Sequence, residues 1–220
     1  MAYKLLLFDL DGTLTDSREG ITRSIRDALS RMNHEVPDDL TLNRFIGPPL
    51  QRAFQEILAF DERESALAVD RFRERYSRKG IYENKVYPGV AGLLDRLKDQ
   101  YILTVATAKP ESSARVVLEH FGLSHYFSFV RGAALDGTRI HKDEIIGDVL
   151  RQYPEIPKEQ ALMIGDRIHD IEGARTNGID VVGVNYGYGG EDELQLADFR
   201  IDRPEDLLTL LEEQDGQHEE

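Results

Sequence analysis

The chain has 220 residues, a formal net charge of −14 and no cysteine. A chain of this length can bury a sizeable core without covalent staples, and the lack of cysteine excludes disulfides, thiolate metal sites and cysteine nucleophiles. The acidic balance, 41 Asp and Glu against 27 Lys and Arg, argues against a nucleic-acid surface, which needs a basic footprint.

The first predicted element is "KLLLFD", Lys4 to Asp9, a nearly continuous apolar run that reads as a strand covered on both faces. It ends in an acid, with Asp11 two residues on, followed by Gly12 and Thr13. From about Ser17 to Asn84 no strand is expected. "GITRSIRDALSRM" places Ile21, Ile25, Leu29 and Met32 on one helical face, and "PLQRAFQEILAF" and "SALAVDRFRERYSRKG" read as further amphipathic helices. This segment is a helical insert, and "NKVYPGV" marks the return to the sheet. "VAGLLDRLKDQ" then reads as a helix, "YILTVAT" (101–107) as a strand, and "SSARVVLEHFGL" as a helix closed by Gly122. "YFSFVRG" (126–132) is a strand and "KDEIIGDVL" a helix opening at Lys142; "ALMIGD" (161–166), "DIEGARTNGI" and "IDVVGV" (179–184) continue as strand, helix and strand.

Strands alternating with helices predict an α/β fold, a doubly wound parallel-sheet core. The expected division is a core of residues 1–16 and 85–212, a helical domain of 17–84, and an acidic, disordered tail of 213–220. No apolar run approaches the ~18 residues that span a bilayer. The N-terminal stretch meets an acid too soon for a signal peptide, so a cytoplasmic protein without a membrane partner is expected. "GYGGEDE" lacks phosphate-loop spacing and reads as a flexible loop.

Ligands of open α/β sheets bind outside the carboxyl ends of the strands. Four predicted strand ends carry candidates: Asp9 and Asp11 after the first; Thr107, with Ala108 and Lys109, at the second; Lys142 beyond the third; Asp166 and Asp170 at the fourth. Several carboxylates gathered at one place repel unless a cation neutralises them. Mg²⁺ fits, because it takes oxygen ligands and keeps positions for water and a phosphate. Lys142 and the Thr107 hydroxyl supply a charge and a donor suited to a phosphoryl group. A metal-held aspartate can also act as a nucleophile and form an aspartyl-phosphate.

These same segments resemble a known family. "FDLDGTLTDS" resembles the first motif of the haloacid dehalogenase-like superfamily, "VATAKP" the second, "HK" at His141-Lys142 the third, and "MIGDRIHD" the GDxxxD form of the fourth. The resemblance runs from Lys4 to about Leu211. It implies a Rossmann-like core whose 17–84 insert is a helical cap, and a Mg²⁺-dependent phosphatase acting on a small phosphorylated metabolite. Asp9 would attack phosphorus and ligate the metal. Asp11 would protonate the leaving oxygen, activate the hydrolytic water and touch the metal through its carbonyl. Thr107 and Lys142 would hold the phosphoryl group, with Ala108 and Lys109 beside it, and Asp166 and Asp170 would complete the metal site.

Dehalogenase members lack an acid at the position of Asp11, so dehalogenation is not expected. Phosphomutases share the core residues, and a phosphomutase acting on a sugar phosphate is the alternative; a non-catalytic binding module is a third. "TAKP" and the "RFIGPPL" segment (Arg44 to Leu50) resemble the phosphoglycolate phosphatase group, whereas "LDGTRIHK" and "NYGYGGEDEL" are closer to a bacterial 5′-nucleotidase-like branch. Arg44 and Gly47 are candidates for substrate contact in the cap, with a plain helix break at Gly-Pro-Pro as the structural alternative. Lys109 rivals Lys142 for the role of the essential lysine. Oligomeric state is not legible in the sequence.

Overall fold

The computed structural model describes residues 3–136 and 138–216. It divides into two compact units, one formed by Met1–Thr15 with Val86–Glu220 and the other by Asp16–Lys85. The elements, in chain order, are β1 (Leu5–Phe8), β2 (Thr15–Asp16), α1 (Arg18–Arg31), α2 (Asp39–Asn43), α3 (Leu50–Leu58), α4 (Glu62–Tyr76), β3 (Lys85–Val86), α5 (Val90–Leu97), β4 (Ile102–Pro110), α6 (Glu111–His120), β5 (Phe129–Ala133), α7 (Lys142–Gln152), β6 (Ala161–Gly165), α8 (Ile168–Asn177), β7 (Asp180–Val184), α9 (Glu191–Leu194), β8 (Phe199–Ile201) and α10 (Asp206–Gly216).

The first unit is built on a six-stranded sheet in the order β5-β4-β1-β6-β7-β8, parallel throughout. The chain runs outward from β1 through β4 and β5, then returns to the other side of β1 to start again at β6. β1 and β6 therefore flank the point where the winding reverses, which is where sheets of this kind bind ligands. Leu5 and Leu7 of β1 join a core with Ile145, Ile146 and Val149 of α7 and Ile171 and Ala174 of α8. Leu6 and Phe8 alternate to the opposite face and are equally buried. Burial on both faces explains the unbroken apolar run. Each such side chain contributes about 1.5–3 kcal/mol on leaving water.

The second unit contains α1 to α4, with α1 packed on α4. Ile25, Ala28 and Leu29 form the buried stripe of α1, as their spacing requires. α4 opens with a reciprocal cap: Asp61 accepts from Glu64 N at 2.8 Å, and Glu64 returns to Asp61 N at 3.2 Å.

Several features differ from the sequence expectation, among them β5, which starts at Phe129 rather than at Tyr126. β4 continues past Thr107 to Pro110, with its register broken between those residues. β8 was not expected, because three residues with a central arginine carry no strand pattern. The short α2 was also missed; its only local signal is Asp38, which caps it by accepting from Thr41 N at 2.8 Å. α10 runs to Gly216, so the first part of the expected disordered tail is helical, and residues 217–220 lie outside the described residues. Among the described residues no helix is long and apolar enough to cross a membrane.

Candidate active site

The site is built from the carboxyl ends of β1, β4 and β6 and the first turns of α7 and α8. Asp9 leaves β1 with its N–H donating to Ile164 O at 2.8 Å, which locks it beside β6. The chain then turns sharply: Gly12 N bonds Thr15 O at 2.8 Å, and Leu14 N and Thr15 N both bond Leu10 O. Gly12 has φ +99°, and a β-carbon there would overlap the Asp166 carboxylate. Only glycine satisfies both the backbone and the space.

Asp9, Asp166 and Asp170 each offer one oxygen such that the three lie within 4.8 Å of one another. All three are buried, Asp166 completely. Lys142, the first residue of α7, enters from the side: its Nζ lies 2.6 Å from Asp9 Oδ1, 2.7 Å from Asp170 Oδ1 and 2.8 Å from Ala106 O. A lysine at a helix N-terminus meets an unfavourable dipole, and the two carboxylates offset it. Asp170 is the third residue of α8, and its Oδ2 accepts from Arg167 N at 3.0 Å. That bond leaves Oδ1 for the cluster.

The second lysine goes elsewhere. Lys109 Nζ holds both oxygens of Asp11, at 2.8 and 3.1 Å, and this pair is buried. The two lysines thus sit in separate pairs, Lys142 with Asp9 and Asp170, and Lys109 with Asp11. The Asp11 carboxylate is not part of the three-acid group. Thr107 is buried, and its hydroxyl oxygen accepts from Lys109 N at 3.2 Å, which leaves its proton free to donate. Ala108 lies between them in the irregular stretch of β4. Arg44 and Gly47 belong to the second unit. Arg44 is exposed after α2, and Gly47 has φ +109°, a conformation that favours glycine.

Burial pushes the Asp9 carboxyl up to about 6, although Lys142 works against it, and the charges of Asp170 and Asp11 add to the rise. Burial, then Asp9 and Asp170, push Asp166 well above the carboxylate range. Burial works to lower the Lys142 ammonium, but Asp170 and Asp9 more than offset it and hold the group charged. Among the described residues, Asp166 Oδ1 is buried without a hydrogen-bond partner. Four carboxylates against two ammonium groups leave two negative charges when all are ionised. An orphaned carboxylate oxygen, an all-oxygen donor set and a deficit of two charges fit one divalent cation such as Mg²⁺.

Sequence reasoning missed the segment after β7. The "GYGG" stretch, expected to be a flexible loop, is packed onto the site: Tyr188 N donates to Asp166 Oδ2 at 2.7 Å, and Gly187 and Gly189 lie against Asp166. The available signal was glycine density directly after a strand end, where close backbone approach is a standing reason for glycine.

A Rossmann-order parallel sheet carrying an Asp-Lys-Asp cluster where its winding reverses defines an α/β enzyme core. The haloacid dehalogenase-like hydrolase model matches residues 6–184, and the chain belongs to that family. A 5′-nucleotidase of Pseudomonas aeruginosa is 47% identical over 89% of this chain and 88% of its own length. The tyrosine-protein kinase PtkA of Mycobacterium tuberculosis is 38% identical over 86% of this chain, which spans 64% of that protein. A phosphoglycolate phosphatase of Aquifex aeolicus is 30% identical over 95% of this chain and 97% of its own. The crystal structure of a predicted phosphatase from Clostridium acetobutylicum superposes with a TM-score of 0.92 at 41% identity, covering 97% of this chain and all of that one.

Proposed function

We propose that the protein is a Mg²⁺-dependent phosphatase that hydrolyses a small phosphomonoester through an aspartyl-phosphate on Asp9. The observation that carries this is the contact set of Asp9, Lys142 and Asp170, with Asp166 alongside: a nucleophile, a fixed cation and spare carboxylate oxygens at one strand-end site.

Asp9, Asp166 and Asp170, with the Asp11 carbonyl, would hold Mg²⁺, which supplies charge neutralisation for the phosphoryl group. An Asp9 oxygen attacks phosphorus, and the ester oxygen leaves with a proton from Asp11. Asp11, now a carboxylate, takes a proton from water, whose oxygen attacks the aspartyl-phosphate. Inorganic phosphate departs, and Asp9 and protonated Asp11 are restored. Lys142 keeps Asp9 oriented and balances charge as the phosphate approaches. The Thr107 hydroxyl donates to a phosphoryl oxygen, with Ala108 and Lys109 lining that side. Lys109 also orients Asp11 between its two proton transfers. Arg44 and Gly47 are proposed to take part in substrate selection.

The relatives' names support phosphoglycolate or a nucleoside 5′-monophosphate as substrate. A substrate panel under Mg²⁺ tests the assignment. Inorganic phosphate released from an aryl phosphate, from phosphoglycolate and from nucleoside 5′-monophosphates should disappear with a chelator and return with Mg²⁺. Isomerised sugar phosphate without free phosphate would indicate a mutase instead. Transfer of label from ATP to a tyrosine peptide would indicate a kinase.

The Asp9 shift sets a pH dependence. Its folded value, about 6, lies above the ordinary 3.8, so between these values the folded state binds more protons than the unfolded chain. The contribution of Asp9 to metal-free stability should therefore be fully present below about 3.8 and be lost as pH rises through about 6. Mg²⁺ competes with that proton. It should raise the melting temperature clearly at pH 8 and little at pH 5; equal shifts at both would contradict the assignment.

A further inference from the structure

We propose that the segment beginning at Tyr186 is a strap that decides which Asp166 oxygen faces the cation, with Gly187 and Gly189 as positioning residues. This rests on the proposed Mg²⁺ site. The strap is fastened at three places. Tyr186 Oη donates to Thr13 O at 3.1 Å, on the turn that follows Asp9 and Asp11. Tyr188 N donates to Asp166 Oδ2 at 2.7 Å. Glu193, at its far end, accepts from Ile168 N at 2.9 Å and pairs with Arg167 Nε at 3.0 Å, on the first turn of the helix that carries Asp170. The strap therefore grips the base of each element that supplies an acid.

Its direct effect is on Asp166, where it occupies one oxygen and leaves the other. Asp166 Oδ2 is taken by Tyr188 N, so Oδ1 is the oxygen without a partner. At Asp170, Oδ2 accepts from the N–H of Arg167, whose side chain Glu193 of the strap holds, and Oδ1 lies 2.7 Å from Lys142 Nζ. One oxygen per carboxylate suits the strict octahedron of Mg²⁺; Ca²⁺ accepts paired carboxylate oxygens and looser geometry. The glycines are what allow the approach. A β-carbon on Gly187 would sit 2.6 Å from Gly12 O and overlap the Asp166 side chain, and one on Gly189 would overlap the Asp166 carbonyl oxygen. Gly190, next in the chain, has nothing within 4 Å of that position among the described residues.

Calorimetric titration of the full chain with Mg²⁺ and Ca²⁺, without substrate, tests this. Gly187→Ala and Gly189→Ala should each weaken Mg²⁺ binding by about tenfold or more, the range for outer-shell partners of a metal site. Ca²⁺ binding should fall less, so the preference for Mg²⁺ narrows. Gly190→Ala should stay within about twofold of wild type. Tyr186→Phe removes one fastening without adding bulk, so it answers the question if an alanine variant does not fold. It should weaken Mg²⁺ several-fold, while the metal-free melting temperature falls only by the small loss of one hydrogen bond. Unchanged Mg²⁺ affinity in Gly187→Ala or Tyr186→Phe, or an equal loss in Gly190→Ala, overturns the strap while leaving the Mg²⁺ assignment standing. A wild-type chain that binds no Mg²⁺ overturns both.

Discussion

Asp9→Asn is expected to reduce phosphate release by on the order of 10⁴-fold or more, the scale seen when a covalent nucleophile is removed. The amide cannot form an acyl-phosphate, yet it is nearly the same size and can still accept from Lys142. The fold should survive. Asp9 is buried beside Asp166 and Asp170, and its carboxyl is pushed up to about 6, so at pH 8 the metal-free wild type keeps a charge that the structure resists. Removing it should leave the metal-free melting temperature at pH 8 unchanged or higher, while the stabilisation by Mg²⁺ shrinks. Activity assays and thermal melts on the same preparation check both halves. Undiminished turnover in the variant removes Asp9 from the nucleophile role.

Lys142→Ala carries the second large effect. Its ammonium touches Asp9, Asp170 and the Ala106 carbonyl, all buried. Without it the three clustered carboxylates lose the ammonium that touches two of them. Breaking a buried pair by deleting one partner costs about 3–5 kcal/mol. The loss should be largest in chelator, and Mg²⁺ should recover part of it. Turnover should fall by about 10²–10³-fold, the range for losing one preorganised donor at a charged transition state. Lys109→Ala should act differently: it frees Asp11, so the defect should be greatest for alkyl phosphates, whose poor leaving groups need a proton, and smaller for aryl phosphates. A severe loss on aryl phosphates at Lys109 with a mild one at Lys142 would exchange the two roles.

The acids of the site were legible because they interrupt buried strands. Leu5 to Phe8 cannot be a solvent-facing strand, so Asp9 stands out at its end, and Gly165-Asp166 repeats the pattern after another apolar run. The distribution of the lysines was not legible. Lys109 and Asp11 are 98 residues apart and Lys142 and Asp9 are 133 apart, so each pairing depends on how strands are ordered in the sheet. β8 and α2 escaped notice because three and five residues are too few to show a period. The "GYGG" segment misled because glycine serves both flexible loops and close approach, and only the neighbour, Asp166, distinguishes them.

By itself, then, the amino-acid sequence determined the α/β class, the helical insert and the identity of the acids that end β1 and β6. These follow from local periodicity and from the cost of charge in an apolar run, both of which act over a few residues. Only the tertiary structure decided which lysine faces which acid, which oxygen of Asp166 stays unpaired, and that a glycine-rich segment closes against the site. Those outcomes depend on strand order and on gaps the width of one methyl group, and neither is encoded within any single stretch of chain.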